Sequence, residues 1–307
     1  MNILVTGGAG FIGSHIVEHF QGQAGVRVLD NLRTGFKHNL DGLPHEFFHG
    51  SILDRDLVRR AMSGVDYVFH LAAMTSVAES MLKPVECVEI NALGTLITLE
   101  EAARAKAKKF VLSSSAAIYG DSPVSPKVET MLPEPKSPYA VTKLDGEFYC
   151  RMFADGGRLQ TACLRYFNVF GPRQDPKSPY GAAVPLFIER AVKNDLITIF
   201  GNGEQTRDFV YVKDIVAANV FFATQSPVTG VFNVAGGRCI TINDLAATIR
   251  RLTGSHSKIE HAAERPGDIK HSMASITKLI GAGFTPKGNL PEGLETTVNF
   301  LRQSVKM

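Results

Sequence analysis

Asn2-Ile3-Leu4-Val5-Thr6-Gly7-Gly8-Ala9-Gly10-Phe11-Ile12-Gly13 decides the architecture of this chain. Its first five residues form an apolar run of strand length that feeds directly into a glycine-rich turn. Gly7, Gly10 and Gly13 let the main chain turn sharply and approach a pyrophosphate. A helix opening with Phe11 and Ile12 and running to about Phe20 aims its N-terminal N–H groups and dipole at those phosphates. A second strand, Val26-Arg27-Val28-Leu29, ends in Asp30. A carboxylate there accepts hydrogen bonds from an adenosine ribose and repels a 2′-phosphate, so the expected cofactor is NAD rather than NADP. Strand, glycine turn, helix, strand and acid in this order give the glycine pattern its meaning.

Further along, strand and helix signals alternate. Glu46 to His49 reads as a strand, a helix follows Asp54, Asp66 to Leu71 reads as a strand, a helix runs through Asn91 to about Ala105, and Lys109 to Ser113 is the next strand. That alternation predicts an α/β fold with a doubly wound parallel sheet and helices on both faces. Ser113, Ser114 and Ser115 then lie at the carboxyl end of a strand, where such sheets bind ligands. A proline-rich loop from Pro123 to Pro138 leads into a helix, and Leu159 to Tyr166 supplies another strand.

That helix carries Tyr139-x-x-x-Lys143, which puts a phenol and an ammonium one turn apart on one face. A free tyrosine has a pKa of about 10, so a base near pH 7 needs roughly 3 units, or about 4 kcal/mol, of preferential stabilisation of the phenolate. Lys143 is the expected source, helped by a positively charged nicotinamide ring beside it. Ser115 relays a proton or holds the substrate oxygen.

The chain has 307 residues, 44% of them hydrophobic, enough for a large core in one or two intimate domains. Its net charge of +3 gives no reason to expect nucleic acid or a membrane surface as partner. Cys87, Cys150, Cys163 and Cys239 show no Cys-x-x-Cys spacing and read as reduced core residues. A strand at residue 2 leaves no room for a signal peptide, and no apolar run approaches membrane-spanning length, so a cytoplasmic location is expected. His15 and His19 share a helix face without a carboxylate or cysteine set to complete a metal site, and no metal is expected. His70, at a strand end, either touches cofactor or packs.

After Gly171-Pro172-Arg173-Gln174-Asp175-Pro176 the second half reads as loops that build a substrate lobe, with a short helix from Val184 to Lys193. Arg207 in Gly201 to Asp208 and Arg265 in Glu264 to Asp268 are guanidiniums in glycine-containing loops suited to phosphate.

Taken together, Thr6 to Gly13, Ser113 to Gly120, Ser137 to Lys143, Leu164 to Gly171, Gly201 to Val212 and Arg265 to Ser272 resemble the extended short-chain dehydrogenases/reductases. The closest likeness is to the UDP-glucose/UDP-N-acetylglucosamine 4-epimerases, over essentially the full length. The resemblance implies a Rossmann domain at 1–168 and 209–234 and a smaller, discontinuous substrate domain at 169–208 and 235–307. It implies that Tyr139 is the base, that Lys143 holds the cofactor ribose and tunes Tyr139, and that Ser115 assists. Besides the glycine turn and Asp30, it brings Asn31, Ser51 and Ile52 to the adenosine end of NAD. It brings Leu71, Ala72, Ala73 and Asn91 to the middle of the cofactor, and Ser113, Tyr166 and Phe167 to the nicotinamide end. Asn168, Arg207 and Arg265 would grip a substrate diphosphate, Asp268 the uridine ribose, and Thr75, Val184 and Phe200 would complete the substrate site.

The implied reaction is NAD-dependent 4-epimerisation of a UDP-hexose through a transient 4-keto sugar, with tightly bound NAD restored each turnover. Dehydratases and decarboxylases of similar build need an acid after the serine, where Ala116 and Ala117 stand here. A UDP-glucuronate 4-epimerase and a non-catalytic NAD-binding sensor remain as alternatives. Ser272 resembles the position that lines the sugar C2 substituent, and a small residue there leaves room for an N-acetyl group. Two positions depart from the usual pattern: Ser51 replaces an aspartate that contacts adenine, and Thr75 replaces a lysine near the diphosphate. Relatives form homodimers through the helices of Asn91 and Tyr139, and Leu93, Leu96, Ile97 and Glu100 are expected on that face.

Overall fold

The computed structural model describes residues 1–176, 182–264 and 270–306. In chain order the elements begin with β1 (Asn2–Thr6), α1 (Phe11–His19), β2 (Gly25–Asp30), β3 (Glu46–His49), α2 (Arg55–Met62), β4 (Tyr67–His70), α3 (Val77–Leu82) and α4 (Pro84–Val88). They continue with α5 (Gly94–Arg104), β5 (Lys109–Ser115), α6 (Pro138–Asp155), β6 (Thr161–Tyr166), β7 (Asn168–Phe170), α7 (Ala183–Lys193), β8 (Ile197–Phe200) and β9 (Thr206–Tyr211). The chain ends with α8 (Val212–Thr224), β10 (Gly230–Val234), β11 (Cys239–Thr241), α9 (Ile242–Thr253), β12 (Ile259–Ala262), β13 (His271–Ser272), α10 (Thr277–Gly281) and α11 (Leu290–Lys306).

Seven parallel strands form the main sheet in the order β10-β6-β5-β4-β1-β2-β3. The order reverses between β1 and β4, which opens a crevice at their carboxyl ends. Both faces are covered, so the middles of β1, β4 and β5 are continuous apolar runs rather than alternating. Ile16 of α1 and Phe20 just after it pack with Ile215 and Phe222 of α8 on one face. Leu57, Leu99 and Phe153 of α2, α5 and α6 pack on the other.

Caps set where the helices start. Asp54 Oδ1 accepts from Leu57 N at 3.0 Å to open α2, and Ser137 Oγ accepts from Ala140 N at 3.2 Å to open α6 with Pro138 in its first turn. The helix expected through Asn91 is α4 and α5 joined by a π-helical turn at Glu89–Leu93. Such turns insert a residue and rotate the side chains that follow. Ile97, expected on a helix face open to a partner, is instead 6% exposed and belongs to the core.

After β6 the chain leaves the large sheet, then returns for α8 and β10. In the smaller lobe β9 pairs with β7, β11 and β13, while β8 pairs with β12. A separate core joins α7, α9 and α11 through Phe187, Leu245 and Leu294. Among the described residues no helix is long and apolar enough to cross a membrane.

Candidate active site

A cleft of about 990 Å³ opens at the strand-order reversal and is walled by both lobes. Gly7, Gly10, Phe11, Ile12 and Gly13 line one end. Gly7 has φ +70°, and a Cβ on Gly13 would stand 2.2 Å from the Gly7 carbonyl oxygen. That cradle has no room for side chains, and a diphosphate fits against its bare main chain and the start of α1. Asp30 accepts from Ala9 N at 2.9 Å and Leu32 N at 2.8 Å, one bond to each carboxylate oxygen. Burial pushes its carboxyl upward against these bonds, and each oxygen keeps a lone pair for a ribose hydroxyl. Acid and cradle together suit NAD.

Asn31, Ser51, Ile52, Leu71, Ala72, Ala73 and Thr75, expected at the adenosine end and middle of the cofactor or at the substrate, all line the cleft. Asn91 does not reach the cleft wall. Its amide is buried, accepting from Met74 N at 2.7 Å and donating to Met74 O at 3.0 Å, so it holds the wall rather than forming it. His70 packs: its ring sits between the Thr6 and Thr95 hydroxyls at 2.9 Å each, and burial lowers its pKa to about 3.

Ser113, Ser115, Tyr139, Lys143 and Tyr166 meet at the far end. Ser115 closes β5, and its Oγ accepts from Ala117 N at 3.1 Å across a short turn, which leaves its O–H to point elsewhere. Lys143 Nζ donates to Ser113 O at 2.8 Å and lies 5.8 Å from the Tyr139 ring centre. Burial pushes the Tyr139 phenol up and the Ser115 hydroxyl pulls it back. Burial brings Lys143 down to about 8. For the protein alone, burial is the largest influence on the Tyr139 phenol and Lys143 is engaged by a carbonyl; the expected stabilisation of the phenolate rests on Lys143 together with a nicotinamide ring beside it. Tyr166 presents its ring while its hydroxyl is tied to Asn219 at 2.9 Å.

Asn168, Arg207 and Ser272 are gathered on the small sheet, Asn168 opposite Phe209 and Ser272 opposite Arg207. Asn168 Nδ2 donates to Asp208 O at 3.0 Å, and Arg207 Nη1 to Thr206 O at 3.0 Å. The Val184 side chain is buried in the core of that lobe, and Phe200 closes β8. Arg265 and Asp268 lie outside the described residues.

The sequence reading missed several cleft residues. Gln174, Asp175 and Ala182 bring the second lobe to the wall. Arg33 reaches from the loop after β2 to Glu79 on α3 at 2.7 Å and to Glu86 on α4 at 2.5 Å, spanning the adenosine end. An arginine three residues after Asp30 is the only signal of it in the sequence.

A UDP-N-acetylglucosamine 4-epimerase from Methanobrevibacter ruminantium M1, solved with UDP-N-acetylmuramic acid, is 40% identical at a TM-score of 0.95, covering 99% of this chain and 98% of that one. A UDP-glucose 4-epimerase from Thermotoga maritima, solved with UDP-glucose, is 41% identical at 0.94, covering 99% and 100%. A Thermus thermophilus UDP-glucose 4-epimerase, solved with NAD, is 37% identical at 0.89, covering 98% and 99%. The description of the NAD dependent epimerase/dehydratase family matches residues 3–235. With its glycine cradle, its acid after β2 and its Ser115, Tyr139 and Lys143 on one wall, this chain belongs to that family of extended short-chain dehydrogenases/reductases, whose cofactor is NAD.

Proposed function

We propose that this protein is a UDP-hexose 4-epimerase that accepts N-acetylated as well as plain sugars. The observation that carries the reading is the meeting of Ser115, Tyr139 and Lys143 on the cleft wall, followed by Ala116 and Ala117, which have no acid to drive elimination. Tyr139 removes the proton of the sugar 4-hydroxyl, and the Ser115 hydroxyl, already beside the phenol, bridges phenol and substrate oxygen. Bound NAD would supply a reversible hydride acceptor for C4 of the sugar, so that inversion there needs no net redox. Lys143 holds the nicotinamide-side ribose, and its charge together with that of a bound nicotinamide ring lowers the phenol against the effect of burial.

Residues 169–208 and 235–307 serve as the substrate lobe. Arg207 and Asn168, with Arg265, hold the diphosphate while the sugar turns over; Asp268 takes the uridine ribose. Ser272, beside Arg207 on the small sheet, leaves space at C2. The relatives crystallised with plain and with N-acetylated UDP-sugars support both substrate types.

The protein acts as a homodimer, in a reducing cytoplasmic compartment. Val88, Leu93, Val141, Phe148 and Met152 are exposed on neighbouring helices and supply the apolar face.

Proton NMR of the purified protein with UDP-N-acetylglucosamine or UDP-glucose, without added cofactor, tests the reading. Galacto anomeric signals from both sugars are expected. Silence with both, persisting after NAD is added, overturns it.

A further inference from the structure

We propose that Ser114, Glu147 and Arg165 form a buried positioning device that fixes the register of α6 against β5, and so sets the approach of Tyr139 to Ser115. The inference rests on the catalytic reading above. Tyr139, Lys143 and Glu147 are spaced i, i+4, i+8 and share one face of α6. Consecutive residues of β5 meet them: Ser115 stands beside the Tyr139 phenol, the Ser113 carbonyl takes the Lys143 ammonium at 2.8 Å, and the Ser114 hydroxyl donates to Glu147 Oε1 at 2.5 Å. Strand and helix are therefore joined by three rungs, two of them within reach of a ligand and the third behind them.

That third rung is strongly held. Glu147 and Arg165 are 4% and 3% exposed, and the guanidinium donates Nε to Oε1 at 2.8 Å and Nη2 to Oε2 at 2.7 Å. The fork geometry fixes the carboxylate in direction as well as distance. Arg165 is itself fixed, because it sits on β6 opposite Ser114 in the sheet register. Its guanidinium carbon lies 4.8 Å from the centre of the Tyr119 ring, and the Tyr119 hydroxyl donates to Asn233 on β10 at 2.6 Å. The position of α6 is thus referred through Glu147 to three adjacent strands, β5, β6 and β10. A helix sliding by a fraction of a turn would break the fork, and Tyr139 would move with it. None of Ser114 Oγ, Glu147 and Arg165 touches the reacting atoms. Their effect on the reaction runs through Tyr139.

Removing one member of the ion pair leaves the other charge buried alone and risks the fold. Ser114→Ala is therefore the informative variant, since it deletes the third rung and leaves the Glu147–Arg165 pair intact. It is expected to lower kcat about tenfold with KM for the UDP-sugar unchanged. It is also expected to move the acid limb of the kcat profile to higher pH, because a phenol less well met by Ser115 ionises later. Ser114→Thr, which keeps the hydroxyl, restores both. As a second variant, Glu147→Leu/Arg165→Met replaces the pair by apolar volume, and is expected to unfold cooperatively near the parent temperature yet show the same loss of kcat. Wild-type kcat and an unmoved acid limb in Ser114→Ala overturn the positioning role, provided Tyr139→Phe is inactive. Turnover in Tyr139→Phe overturns the underlying catalytic reading instead.

Discussion

Lys143 gives its ammonium to the main-chain carbonyl of Ser113 at 2.8 Å, although burial has brought its pKa to about 8. The cation is held on the strand that carries Ser115 and is costly to keep charged there. Its folded pKa is depressed below the ordinary 10.5, so the unfolded chain binds the proton more tightly between about pH 8 and 10.5, and stability rises with pH across that window. Lys143→Met is expected to be more stable than the parent at pH 7, by about 1–2 kcal/mol once the lost hydrogen bond is deducted, while losing activity. Thermal unfolding of cofactor-stripped protein at pH 7 and pH 10 checks this; the gain should shrink at the higher pH, and a less stable variant at pH 7 would contradict it.

His70 provides an acid-side counterpart. Its folded pKa of about 3 lies below the usual 6.5, so the unfolded chain takes the proton first, and stability is lost as pH falls from about 6.5 towards 3. The loss reaches about 5 kcal/mol at its greatest. His70→Gln should flatten that part of the profile in urea titrations at pH 7 and pH 4.5, and equal slopes for parent and variant would count against it.

Gly13→Ala tests the phosphate cradle. The new Cβ would stand 2.2 Å from Gly7 O and 2.8 Å from Gly8 Cα, both main-chain atoms that cannot swing away. A stability loss of about 1–3 kcal/mol is expected, together with loss of retained NAD measured by absorbance of the denatured supernatant. Full cofactor occupancy would show that the turn tolerates the methyl.

Ser272→Tyr tests the sugar gate. Placed opposite Arg207 on the small sheet, the larger side chain should suppress turnover of UDP-N-acetylglucosamine at least about tenfold more than that of UDP-glucose. Equal losses for both sugars would remove Ser272 from specificity.

Much of the main sheet was legible because its strands from Asn2 to Tyr166 are short, largely apolar runs, and three of them end in residues that line the cleft, Asp30, Ser115 and Tyr166. Asp30 and Ser115 could be placed at strand ends from the order of elements, whereas Tyr139 and Lys143 became persuasive only through the motifs around them and the resemblance those motifs carry. Asn91 could not be placed so, since it lies within a π-helical turn and its amide is taken up by Met74 and Thr142 rather than by the cleft. Ile97 looked like a candidate for an exposed face, and only the packing of α5 against α2 shows it to be core. The small lobe was hardest to read: β11 and β13 are three and two residues long, too short for any alternation to register.

Arg33 ties two stretches of chain that share no sheet or helix, 46 residues from Glu79 and 53 from Glu86. Arg33 and Glu79 stand on the cleft wall, and if their pairing helps to retain bound NAD, release of the cofactor should quicken with ionic strength, as dialysis in low and high salt would show. In that case the cofactor is in effect a lodger rather than a visitor. For an epimerase of the kind proposed, oxidation and reduction would balance inside one molecule, and the rate would be insulated from the NAD/NADH ratio around it.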